Sequence, residues 1–163
     1  MKTKKPPIYT RVDGRLRPLD DEAVLAAAGD ILLSRLHDGP LLDSPETVRK
    51  FLQCKLGTRD SEVFSVLLLD AKHRLVEYRE MFQGTLNGTA VYPREVVRTA
   101  LQCNAASVLC CHNHPSGVAE PSKADEMLTT RLREALAIVD IRLLDHLIVC
   151  CGEVTSFSER GLI

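Results

Sequence analysis

An α/β domain with a mixed sheet between helices is predicted by three observations. Nearly continuous apolar runs of strand length stand at residues 63–69 and 105–111, as expected of strands covered on both faces. Stretches with helical spacing precede, separate and follow them. The resulting order, helix, strands, helix, strand, helix, strands, is that of a sheet layered between helices.

Each element has its own local signal. Residues 1–20 hold Pro6, Pro7, Pro18 and six basic side chains, and read as a flexible or loosely docked arm. Asp20, Asp21 and Glu22 open an Ala/Leu-rich helix to about His37, acidic residues lying at the favoured end. Gly39-Pro40 ends it. Ser44 and Pro45 start the next helix, as N-cap and first helical residue, and Gly57 stops it after Leu56. Asp70 to His73 form a turn, and residues 74–82 return antiparallel to the first apolar run. Gly84 and Asn87-Gly88 mark loops around a short strand. Val96, Val97, Ala100 and Leu101 give residues 93–103 a helical face. Residues 123–139 form a strong helix behind Ser122, and residues 142–151 and 153–157 are strands around Gly152.

Composition narrows the class. The chain has 163 residues, 45% of them hydrophobic, no Trp, and 21 basic against 22 acidic side chains, for a net charge of −1. That balance gives no global drive toward nucleic acid or anionic membrane. No apolar h-region opens the chain and no apolar run is long enough to span a bilayer, so a cytoplasmic protein is expected. None of the six cysteines is spaced C-x-x-C, and reduced thiols are expected rather than a disulfide framework or a four-cysteine zinc site.

The chemistry concentrates in His112-Asn113-His114-Pro115-Ser116-Gly117, followed by Ser122 and Asp125. If the strand stays extended through residues 111–114, His112 and His114 share one face, because side chains alternate with period two. Asp125 falls in the first turn of the following helix, near the strand end. Two imidazoles and a carboxylate can hold a metal ion and leave a fourth position open. The competing reading is structural: Ser122 and Asp125 have the form of a capping box, and the histidines those of a loop. Four such residues on one strand–loop–helix unit favour the metal site. Contiguous His-Asn-His is not the nuclease pattern of similar name, which draws its residues from separated positions. Cys110 shares the face of His112 but reads as a small apolar residue of a buried strand. Of Asp145 and His146 only one can face the site, as a partner that orients a ligand or as part of an ordinary satisfied pair.

The spacing H-x-H, seven residues, Ser, two residues, Asp is that of the JAMM signature of JAB/MPN metalloprotease domains, and His112, His114, Ser122 and Asp125 match it residue for residue. Glu62-Val63-Phe64, Gly84-Thr85-Leu86-Asn87, Val91-Tyr92-Pro93-Arg94-Glu95-Val96, the His112–Gly117 segment and Asp145-His146 resemble the RadC family of bacterial JAB-domain proteins. The resemblance covers residues 41–163 and implies the JAB/MPN fold, a cytidine-deaminase-like mixed sheet flanked by helices. Residues 1–40 then form an N-terminal arm and helix, shortened relative to the family's N-terminal region with its helix-hairpin-helix element.

The resemblance also implies roles. His112, His114 and Asp125 would bind Zn²⁺, Glu62 would be the general base, and Ser122 would donate to the oxyanion of a substrate amide. Glu62 directly precedes the first buried strand, whereas Glu46 and Glu95 lie on helices and match less well. The implied activity is zinc-dependent hydrolysis of a peptide or isopeptide bond in an unidentified peptide or protein. The alternative is an accessory protein of DNA repair or recombination, the family's historical label, with little or no protease activity. Its one supporting feature is the basic arm (Lys2, Lys4, Lys5, Arg11, Arg15 and Arg17), suited to weak, non-specific phosphate contact.

Overall fold

The computed structural model describes residues 7–37, 39, 41, 45–84 and 90–163. The expected cap at Ser44, the stop at Pro40 and the short strand around Asn87-Gly88 lie outside the described residues. The elements run β1 (Tyr9–Val12), β2 (Arg15–Pro18), α1 (Asp21–Leu36), α2 (Pro45–Leu56), β3 (Val63–Leu69), β4 (Leu75–Gln83), α3 (Pro93–Gln102), β5 (Ser107–Asn113), α4 (Lys123–Ala137), β6 (Arg142–Cys150) and β7 (Glu153–Ser156).

Five strands form one mixed sheet in the order β4-β3-β5-β6-β7. Only β5 and β6 are parallel, and α4 connects them; the other neighbours are antiparallel. Every residue of β3 and β5 is buried, which explains their unbroken apolar runs. Alternation then sorts them between two cores. Val63, Leu67, Leu69, Leu109 and Cys111 pack with Val48, Phe51, Leu52 and Leu56 of α2. Phe64, Val66, Leu68, Val108 and Cys110 pack on the opposite face with Val96 and Ala100 of α3 and Leu132 and Leu136 of α4. Helix α1 lies against α2, and Asp20 caps it by accepting a 2.8 Å hydrogen bond from the Ala23 N–H.

Two expectations change. Residues 9–18, read as part of a loose arm, are a two-stranded antiparallel hairpin pairing Tyr9 with Pro18 and Val12 with Arg15. Its turn is Asp13-Gly14, with φ of 49° and 77°, the positive angles that a two-residue hairpin loop requires. Asp-Gly was the available signal; the exposure of nearly every hairpin residue removed the apolar pattern that would have supported it. Strand β5 also runs two residues further than expected, through His112 and Asn113. It is central, so pairing continues on both sides, Phe64 with His112 on β3 and Asn113 with Val149 on β6. Among the described residues no helix is long and apolar enough to cross a membrane, and all six cysteines are free thiols.

Candidate metal centre

The extended end of β5 puts His112 on the α3/α4 face of the sheet. His114 follows two residues later on the same side, its N–H donating to the Val149 carbonyl at 3.0 Å. The chain then turns at Pro115, closed by a 3.0 Å bond from the Gly117 N–H to the His114 carbonyl. Gly117 has φ of 80°, a conformation that favours glycine. The turn returns the chain so that α4 starts at Lys123, capped by Ser122, with Asp125 in its first turn facing the two imidazoles.

The three ligand candidates converge. His112 Nε2 lies 2.9 Å from His114 Nε2 and 3.3 Å from Asp125 Oδ1, and His114 Nε2 lies 3.5 Å from Asp125 Oδ2. Donors at zinc-bond distances in a tetrahedral shell sit roughly 3.3 Å apart, so the cluster has the dimensions of such a site. No ion is present; the fit rests on the donor set. His114 Nδ1 lies 2.7 Å from the Val118 carbonyl, which has no proton to give. Nδ1 is therefore the donor, and in the neutral ring Nε2 is a bare lone pair aimed at the cluster. Carboxylate oxygens facing imidazole lone pairs at these distances repel unless a cation lies among them.

Without a metal, a proton on Nε2 can take the cation's place, and the facing carboxylate then accepts a hydrogen bond from the imidazolium. Burial acts to raise the Asp125 carboxyl, but hydrogen bonds with His112, His114 and Ser122 outweigh it and hold the group ionised far below the usual carboxylate range. The hydrogen bond with Asp125 raises His114 above an ordinary histidine, against burial, and the Glu62 charge adds to the rise.

Ser122 and Asp125 form the capping box in full. The Asp125 N–H donates to Ser122 Oγ at 3.1 Å and the Ser122 N–H to Asp125 Oδ2 at 2.8 Å. The Ser122 hydroxyl also donates to Asp125 Oδ2 at 2.6 Å. The structural and ligand readings are thus compatible: the cap fixes the carboxylate that faces the histidines. Glu62 immediately precedes β3. Continuing the antiparallel register from Phe64 opposite His112 brings Glu62 level with His114, on the same face by alternation. Its carbonyl accepts from the Gly84 N–H at 2.7 Å.

Three further residues shape the site. Asn113 points to the other face and clamps the segment leading to Glu62. Its Oδ1 accepts from the Val63 N–H at 2.8 Å, and its Nδ2 donates to the carbonyls of Ser61 at 3.0 Å and Arg59 at 3.3 Å. Asn113→Ala is expected to destabilise the protein by about 1–3 kcal/mol, the cost of orphaned buried polar groups, read as a lower urea midpoint at unchanged slope. An unchanged midpoint would contradict the clamp. His146, not Asp145, faces the site. Its Nε2 lies 2.8 Å from His112 Nδ1 and its Nδ1 2.6 Å from Thr129 Oγ1. Asp145 is turned away, accepting from Ser156, Ser158 and the His146 N–H. Thr129 was not singled out in the sequence, although it stands four residues after Asp125 on the same helix face. Cys110 stays an apolar core residue, its thiol pushed up by complete burial and then by the Asp145 charge.

Comparison with known proteins agrees with this geometry. The family model described as the RadC-like JAB domain matches residues 42–162. A UPF0758 protein of Methylibium petroleiphilum is 56% identical over 141 residues, covering 86% of this chain and 64% of the relative. One from Leptothrix cholodnii is 54% identical over 142 residues, 87% of this chain and 64% of the relative. One from Marinobacter nauticus is 55% identical over 142 residues, 87% and 63% respectively. The aligned chain thus spans a little under two thirds of these relatives' length. With a five-stranded mixed sheet between helices and a His/His/Asp cluster at the end of its central strand, the chain belongs to the RadC-like JAB domain family.

Proposed function

We propose that this domain is a zinc-dependent amide hydrolase of the peptidase or isopeptidase type. The observation that carries the reading is the convergence of His112 Nε2, His114 Nε2 and an Asp125 carboxylate oxygen, at the spacing of a three-ligand site that leaves a fourth position open. Zinc held there supplies Lewis acidity and an activated water at neutral pH.

The side chains divide the remaining work. His112 and His114 offer neutral nitrogen donors, and the ionised Asp125 offsets part of the cation's charge. Glu62, level with His114, accepts a proton from the attacking water at a carboxylate oxygen and later returns one to the leaving amine. The Ser122 hydroxyl rotates from Asp125 Oδ2 toward the substrate carbonyl and donates to the oxygen that becomes negative. Ser122 Oγ still accepts from the Asp125 N–H, so its position survives that rotation. The two-zinc arrangement used by many nucleases has no second ligand cluster among the described residues.

The test is cleavage of a diverse peptide and isopeptide library by the zinc-loaded protein, read by mass spectrometry. Cleavage that a chelator abolishes and added zinc restores is the expected result. Stoichiometric zinc with no cleavage of any amide, across the library, would count against hydrolysis.

A further inference from the structure

We propose that Thr129 and His146 are positioning residues that set the tautomer of His112, so that its bare Nε2 faces the metal. The inference rests on the ligand reading above and goes beyond it, because neither residue offers a ligand atom to the cluster.

The direction of the hydrogen-bond chain follows from its last member. Thr129 Oγ1 lies 2.6 Å from the Asp125 backbone carbonyl, which only accepts. The hydroxyl proton is committed there, and Oγ1 is left to accept from its second partner, His146 Nδ1 at 2.6 Å. With its proton on Nδ1, the neutral His146 ring has a lone pair on Nε2. That nitrogen then accepts from His112 Nδ1 at 2.8 Å. The proton of His112 is thereby held on Nδ1, away from the cluster, and Nε2 is free to coordinate. A single hydroxyl thus orients two imidazoles, and the chain begins at one ligand residue and ends on the backbone of another.

The surroundings make the chain resistant to rearrangement. His112, His146 and Thr129 are 1%, 0% and 2% exposed, so bulk water does not compete for their hydrogen bonds. Phe157 stacks on His146 with centroids 4.9 Å apart at 24°, and Phe64 meets His146 edge-on at 5.7 Å and 73°. Phe64 also lies parallel to His112, 6.5 Å away at 18°. The rings are held in plane while the hydroxyl fixes their protons. Threonine bonding back to the carbonyl four residues earlier is common in helices. Here the same oxygen has a buried imidazole as second partner, which converts a local habit into a fixed polarity.

The discriminating variant is Thr129→Val, which keeps shape and removes the hydroxyl, with Thr129→Ser as rescue. In metal-free protein with ¹⁵N-labelled histidines at pH 8, the wild type is expected to show His112 and His146 protonated at Nδ1. Thr129→Val is expected to shift both rings toward Nε2–H and to weaken zinc binding about 10- to 100-fold, the range for partners that orient ligands. Thr129→Ser is expected to restore the wild-type tautomers and affinity. Nε2–H tautomers in the wild type, unchanged zinc affinity in Thr129→Val, or failure of serine to rescue would each overturn the inference. A wild type that binds no zinc would instead overturn the ligand reading, and the tautomer spectra of metal-free protein would still decide this one.

Discussion

Asp125→Asn is expected to leave the folded protein without stoichiometric zinc and without hydrolytic activity. The amide keeps an oxygen that can accept from the Ser122 N–H, so the cap of α4 is largely retained. What it loses is the negative charge and the carboxylate as ligand. Removing a ligand exceeds the loss of an orienting partner, so the fall in affinity should be more than roughly 100-fold. Zinc retained after gel filtration, measured by elemental analysis, checks it; equimolar zinc in this variant would rule Asp125 out as a ligand. Asp125→Ala should have the same effect on zinc, with an added loss of helix capping. The metal-free protein gives an independent signature. Asp125 raises the His114 pKa, so the pair stabilises the fold fully below about pH 6.5, the ordinary histidine value. That contribution is lost as pH rises through the raised folded value. The Asp125 side, lowered by its partners, keeps its share above the ordinary carboxylate range and loses it progressively as pH falls below that range. A pH series of unfolding midpoints should therefore show this histidine-linked decline toward alkaline pH in the metal-free wild type and not in Asp125→Asn.

The route from sequence to this site was short because the ligands lie on consecutive elements. His112 and His114 are related by strand alternation, and Asp125 by one turn and one helical cap. Such local geometry is carried by spacing alone. The same holds for β3, β5 and α4, whose apolar runs or periods are strong. The remainder is less legible where it depends on partners distant in the chain. Nothing near Asn113 in sequence says that its amide will hold Arg59, Ser61 and Val63. The choice between Asp145 and His146 depended on which face of β6 met α4, a matter of tertiary packing. Thr129 is one of several polar residues on α4, and only the His146 ring beside it marks it as special. The hairpin at residues 9–18 was missed for the opposite reason: its exposed strands offer no burial pattern, and its turn dipeptide alone had to carry the signal.

Glu62→Gln is expected to separate catalysis from metal binding. Glutamine has nearly the same shape, and the backbone contacts that hold this position, the Gly84 N–H on the Glu62 carbonyl and the Val63 N–H on Asn113, do not involve the side chain. Zinc content should therefore stay near one equivalent, in contrast to Asp125→Asn. Turnover should fall by about 10²- to 10⁴-fold, the usual contribution of a positioned general base, because the amide cannot accept the proton of the attacking water. The loss should appear in kcat with little change in KM, since a group that acts on the transition state leaves ground-state binding intact. Full activity in a zinc-replete Glu62→Gln protein would remove Glu62 from the mechanism and shift attention to another base. Loss of both zinc and activity would make Glu62 a ligand or a structural support. The predicted pattern, metal kept and turnover lost, is the one outcome that neither of those alternatives produces.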